Sequence, residues 1–272
     1  MIELRLDDVR VAHGRVPILH GISTPPLRGG EVVAVIGPNA AGKSTLMRRI
    51  AGLVGGAGTV SLTGTSRVAG RRVPSCCYMP QDGAVAAALS VYEAVLLALK
   101  QGASWGVTDA DLGRVERVLD DLRLTDLGFR SMARLSGGQR QLVSLAETLV
   151  REPDLALLDE PTSALDLSRQ IEILDHVRGV ARQRGTCVLI SIHDLNQALR
   201  IADTVLVLDG GRLVALGPPA AVITPALLRT VYGVEARVEA AGSAGLHVLV
   251  DGLSGLRKAP GGTGAATAIA AP

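Results

Sequence analysis

Apolar positions along this chain follow two periods, which divide it into strand-rich and helix-rich stretches. Ile2, Leu4 and Leu6 alternate with polar neighbours, and Val9 and Val11 resume the alternation after Asp8. A period of two predicts antiparallel strands with one face toward a core. Four other runs are apolar without interruption: Val32–Ile36 and residues 155–158, 187–192 and 205–208. Such runs suit a parallel sheet covered by helices on both faces. Right-handed crossovers between those strands would bring their C-terminal ends, and so Gly37, Glu160 and His193, to one edge.

Between about residues 85 and 150 the period becomes helical. Ser90-Val91-Tyr92-Glu93 has the form of a capping box and predicts a helix through Lys100. Leu112, Val115, Val118, Leu119 and Leu122 form one apolar stripe, and Leu142, Leu145, Ala146 and Leu149 form another. Gly210-Gly211 reads as a hairpin turn. Residues 1–252 are expected to form the folded domain. Residues 253–272, rich in glycine and alanine, are expected to be a disordered tail.

Chemistry enters with glycine. Gly37-Pro38-Asn39-Ala40-Ala41-Gly42-Lys43-Ser44 fits G-x-x-x-x-G-K-[ST], directly after one apolar run and before a helix-like stretch that begins at Thr45. Glycines let such a loop curl so that backbone N–H groups converge on phosphate oxygens, and the following helix adds its positive end. Lys43 would reach the β- and γ-phosphates and Ser44 would ligate Mg²⁺. On average residue usage, a chance match in a chain of this length is roughly a one-per-cent event. A second segment, Leu135-Ser136-Gly137-Gly138-Gln139, opens the 142–149 stripe and makes another anion-favouring helix start, without a lysine.

That second segment matches the signature motif of the ATP-binding-cassette family, which this chain resembles over roughly residues 1–250. The resemblance implies an α/β fold of the P-loop NTPase class. It would have a mainly parallel core sheet, an antiparallel β-subdomain including residues 59–63, and an inserted helical subdomain. It also implies roles for later residues. Asp159, at the end of the apolar run 155–158, would hold Mg²⁺ directly or through water, and Glu160 would orient the attacking water. Gln81, in Tyr78-Met79-Pro80-Gln81-Asp82, would contact Mg²⁺ or the water, and His193 the γ-phosphate. Asp166 would sit at a subunit contact. His13 best matches the adenine-stacking position, with less stacking area than tyrosine. Ala40 stands where the family usually has glycine, and alanine fits there if φ is negative.

The same resemblance implies a homodimer in which each signature segment caps ATP held by the other copy's phosphate loop. It further implies docking on integral membrane permease subunits, with a substrate-binding protein as an indirect partner. The segments around Gln81, Leu89 to Leu97, 211–219 and 231–234 resemble importers of ferric siderophores, haem and cobalamin. A non-transport ATPase, such as one serving iron–sulfur cluster assembly, is the alternative.

Composition is compatible with this. The 272 residues are 47% hydrophobic but only 2% aromatic, so the core must be built from Ala, Val and Leu. A net charge of +2 gives no reason to expect nucleic acid as a partner. The three cysteines show no zinc spacing and are expected to be buried thiols. No signal-peptide pattern opens the chain and no apolar run approaches a membrane span. The expected location is therefore the cytoplasmic face of the membrane, as a soluble, peripherally attached subunit.

Overall fold

The computed structural model describes residues 1–64, 74–81, 88–101, 106–240 and 245–255. The predicted start of the helical subdomain at Val85, Asp82 of the glutamine segment, and the tail beyond residue 255 lie outside the described residues.

Strands β1 (Glu3–His13), β2 (Val16–Ile22), β3 (Leu27–Arg28) and β5 (Ala57–Thr63) form an antiparallel sheet in which β1 pairs with the other three. The skipped beat in the sequence at Asp8 is a physical irregularity. Asp8 has φ +48°, and the β1–β5 register shifts between Asp7 and Arg10. The extra residue returns Val9 and Val11 to the buried face already occupied by Leu4 and Leu6.

The second sheet has the order β10-β9-β4-β8-β7-β6. Its parallel strands are β4 (Val32–Ile36), β6 (Cys76–Met79), β7 (Leu155–Asp159), β8 (Cys187–Ser191) and β9 (Thr204–Asp209), and β10 (Arg212–Gly217) closes one edge antiparallel. Every residue of β4, β7 and β8 is buried. The two faces of β4 explain why the run does not alternate. Val33 and Val35 join a core with Leu4, Leu6 and Ile22 of the antiparallel sheet and Leu46 and Met47 of helix α1 (Lys43–Ile50). Val32, Ala34 and Ile36 face a second core, built from helices.

That helical layer contains α2 (Val91–Lys100), α3 (Asp109–Asp121), α4 (Gly137–Leu149), α5 (Leu167–Arg184) and α6 (Leu195–Ile201). Three of them begin with reciprocal caps: Ser90 with Glu93, Thr108 with Asp111, and Ser136 with Gln139. Each cap satisfies two backbone donors that the first turn leaves open. Lys100 and the Thr108 cap together hold the Asp111 carboxyl down to about 2. Among the described residues, no helix is long and apolar enough to cross a membrane.

One element had no expectation behind it. Strands β11 (Val234–Ala240) and β12 (Leu246–Leu253) form a hairpin that α6 holds through Asn196. Val248 N–H donates to Asn196 Oδ1 at 2.8 Å, and Asn196 Nδ2 donates to Val248 O at 3.3 Å. Ordered strand therefore continues to Leu253, the first residue of the stretch expected to be a tail.

The parallel registers align Asp159 with Ser191, and Val35 with Ser191 on the other side. Gly37, Glu160 and His193 thereby leave the sheet along one edge, as the crossover argument requires. The β9–β10 turn supports the same edge. Gly210 and Gly211 have φ +53° and +72°, the left-handed pair of a tight hairpin. Gly211 O accepts from His20 N–H at 2.9 Å, and Gly211 N–H donates to Ala41 O at 3.1 Å.

A Cβ on Gly211 would lie 1.8 Å from Ile18 O, a backbone atom with little room to retreat. Gly211→Ala is therefore expected to destabilise the fold by at least about 2 kcal/mol, adding steric displacement to left-handed strain. Thermal unfolding measures this, and an unchanged Tm would contradict the close approach.

Candidate active site

The phosphate-loop motif occupies the bend between β4 and α1, and its sequence explains its path. Gly37 and Gly42 have φ +148° and +100°. A Cβ on Gly37 would lie 2.0 Å from Leu208 O, so glycine lets the loop start directly against β9. Lys43 is 6% exposed, with Nζ donating to Gly37 O at 2.8 Å and Pro38 O at 3.0 Å. Desolvation pulls its pKa below the ordinary lysine value, while the charges of Glu160 and Asp159 oppose that shift. The ammonium is thus held inside the loop's curve.

Ala40 does not meet the condition under which alanine fits freely. Its φ is +61°, not negative, so the loop keeps the left-handed turn at this position although the residue is alanine. The turn is set by the neighbours that close the loop, including Ala41 N–H donating to Pro38 O at 3.2 Å. Alanine accepts the strain, of order 1 kcal/mol, that glycine avoids.

Opposite the loop stands a carboxylate wall. Asp159 is 1% exposed. Its Oδ1 accepts from Ser191 Oγ at 2.7 Å and its Oδ2 from the Tyr78 hydroxyl at 3.2 Å. Arg48 of α1 lies beside Tyr78, whose hydroxyl raises the guanidinium's pKa. Glu160 follows with φ +51°, turning its side chain out of the strand line. Each of its polar groups is engaged. Its N–H donates to Ser191 Oγ at 2.8 Å, and its C=O accepts from Gln141 Nε2 at 2.6 Å. Oε2 accepts from Gln81 Nε2 at 2.8 Å, and Oε1 meets His193 Nε2.

A cavity of about 760 Å³ lies between these parts. Residues 39–45 of the loop line it, including Asn39, Ala41, Ser44 and Thr45, together with Ile18, Gln81, Glu160 and His193. Asp159, buried and close enough to act on the Lys43 charge, is not among the lining residues. No group of three or more His, Cys, Asp or Glu among the described residues could hold a metal by itself. The donor set fits Mg²⁺ bound to a phosphate substrate: a hydroxyl from Ser44, an amide oxygen from Gln81, and the Asp159 carboxylate one layer back. Mg²⁺ commonly takes few protein ligands and completes its shell with water and phosphate oxygens.

The remaining expected residues are elsewhere. Leu135 is buried, and Ser136, Gly137, Gly138 and Gln139 form the exposed to half-buried start of α4. None of the five lines the cavity around Lys43. Asp166 caps α5, accepting from Arg169 N–H at 2.9 Å, which holds its carboxyl below the usual range. His13 is exposed at the end of β1, opposite Val16, and it too is outside the lining.

Three contributors escaped the sequence reading: Tyr78, Ser191 and Gln141. Gln141 lies one helical turn into α4 and bonds Glu160 O, Ser163 Oγ at 3.0 Å and, through Oε1, Ala164 N–H at 3.0 Å. Gly138 makes that approach possible, because a Cβ there would lie 2.7 Å from Ala164 O. The signature helix and the loop after Glu160 are thereby tied together.

Comparison with known proteins agrees with this geometry. The family model described as ABC transporter matches residues 22–163. The hemin import ATP-binding protein HmuV of Roseobacter denitrificans is 37% identical over 85% of this chain and 90% of its own length. This chain belongs to the ABC transporter family. The cobalamin import ATP-binding protein BtuD of Halobacterium salinarum is also 37% identical, over 78% of this chain and 54% of its own length. A solved structure described as a metal-chelate type ABC transporter in an inward-facing conformation superposes with a TM-score of 0.79. It is 26% identical, covering 94% of this chain and 99% of that one. The chain is thus an ABC transporter ATPase, an ATP-binding subunit related to those of hemin, cobalamin and metal-chelate importers.

In this ABC subunit, Ala40→Gly is expected to relieve the left-handed strain and raise stability by about 0.5–1 kcal/mol, net of the unfolded-state entropy that glycine adds. Calorimetry would show this as a Tm rise of roughly 2 °C. A fall in Tm would contradict the loop conformation.

Proposed function

We propose that the chain powers an importer of an iron chelate or related cofactor (a ferric siderophore, haem or cobalamin) by hydrolysing ATP between two copies of itself. The observation that carries the ATPase chemistry is the placement of Glu160. It is held by Gln81 and His193 in the same cavity as the lysine-bearing loop. In this reading Lys43 and the loop N–H groups bind the β- and γ-phosphates. Glu160 orients a water and draws on its proton as the water oxygen bonds to the γ-phosphorus. The bond from that phosphorus to the β–γ bridging oxygen breaks, leaving ADP and inorganic phosphate. His193 and Gln81 keep the carboxylate aimed, so most of the acceleration comes from positioning and electrostatics. When bound, Mg²⁺ would neutralise charge developing on the phosphate oxygens.

The signature segment's absence from the Lys43 cavity supports a dimer in which each copy completes the other's site. Leu135 to Gln139 would then cap the γ-phosphate on the facing copy, and Asp166 would lie near the contact. His13 is proposed to reach adenine only once nucleotide is bound. The second large cavity, of about 690 Å³ between β6, α2 and α4, is proposed to receive a helix end from the permease. Gln81 borders both cavities and so links docking to the water-holding carboxylate. The relatives named for hemin and cobalamin import support the cargo class. The siderophore assignment rests on the resemblance of the segments around Gln81 and Leu89.

Glu160→Gln is expected to retain ATP binding and accumulate an ATP-dependent dimer on gel filtration, while hydrolysis falls by roughly two or more orders of magnitude. Near-normal turnover would remove Glu160 from this role. A deletion strain is expected to lose uptake of labelled iron offered as siderophore or haem, or of cobalamin. The intact gene should restore it and the Lys43→Ala form should not. Normal uptake of all three would reassign the cargo.

A further inference from the structure

The groove proposed to receive the permease contains a charge the chain does not answer. Arg140, Ser144 and Glu147 of α4, and Arg151 just past its end, recur at three- or four-residue spacing and line this cavity. Leu97 and Met132 give it apolar walls. Both arginines are already engaged: Arg140 donates to Leu135 O at 2.7 Å, and Arg151 to Gln101 Oε1 at 3.2 Å. Glu147, between them, has neither hydrogen bond nor ion pair among the described residues. Burial pushes its carboxyl up to about 7, with no opposing charge to bring it down.

An unpaired carboxylate in a half-buried groove is costly, and more so once a docked helix removes the remaining water. An apolar occupant would be met only by protonating the carboxyl, and an acidic one would add repulsion to that cost. A basic one would remove it.

We propose that Glu147 is the partner-reading residue of this groove, forming an ion pair with a lysine or arginine on the permease helix end that docks there. The inference rests on the docking assignment made above. It adds the charge that the permease must carry. Arg140 and Arg151 flank the carboxylate and disfavour a second cation on either side, so the pair also fixes where along α4 the helix end sits.

The test uses the full chain and its cognate permease subunits in detergent, with affinity measured at low and high salt. Glu147 lies outside the nucleotide cavity, so unchanged basal ATPase activity of each isolated variant serves as the folding control. Glu147→Gln is expected to weaken capture of the permease about tenfold, and Glu147→Arg about a hundredfold or more, with much of the wild type's salt sensitivity lost in the Gln form. Changing the facing permease cation to glutamate should restore binding to Glu147→Arg. If the wild type binds and Glu147→Gln binds within about twofold with the same salt dependence, the ion pair is wrong though docking stands. If the wild type does not bind the permease, the docking assignment fails and the inference goes with it.

Discussion

A single hydroxyl sits at the junction on which the catalytic edge depends. Ser191 Oγ donates to Asp159 and accepts the N–H of Glu160, joining the ends of two parallel strands. The bridge exists because β7 and β8 pair Asp159 directly with Ser191. A one-residue slip would turn every side chain of one strand to the opposite face. Both faces of this sheet pack against close-fitted cores, so such a slip would force every buried valine and leucine of the strand to repack. Hydrophobic register therefore sets where the two carboxylates stand, and the hydroxyl locks the result.

Glu160 shows what that locking achieves. Its backbone is left-handed, its N–H and C=O are taken by Ser191 and Gln141, and its carboxylate is shared by Gln81 and His193. Ions and dipoles fixed before substrate arrives need little reorganisation during reaction. Gln141 adds a mechanical consequence, because it ties the signature helix to the loop that carries Glu160. Displacement of that helix would act on Glu160 through one side chain. Gly138 is small for the same reason.

The two large cavities meet at Gln81, which offers its amide to Glu160 from the strand end bordering the helical groove. The groove and the nucleotide site therefore share a structural wall. Motion of α2 and α4 relative to β6 would alter the support of the glutamate. That arrangement suits an ATPase whose turnover must answer to a partner.

Much of this was legible in the chain alone. The period-two segment with its skipped beat at Asp8, the uninterrupted runs of β4, β7 and β8, the Ser90 cap and the Gly210-Gly211 turn are local patterns. Each depends on residues within a few positions of one another, so sequence determined them. The phosphate-loop and signature motifs were legible for the same reason, as was the family they resemble. Tertiary structure decided what depends on distant residues meeting. Tyr78 reaches Asp159 across 81 positions and Ser191 across 32, and Gln141 reaches Glu160 from a different element. No periodicity marks such a side chain, because its partner is chosen by strand register and helix docking. The hairpin β11–β12 is held by Asn196 from α6, a contact with no local signal. The conformation of Ala40 was not legible because φ there follows from closure of the whole loop, whereas the residue's own preference points the other way.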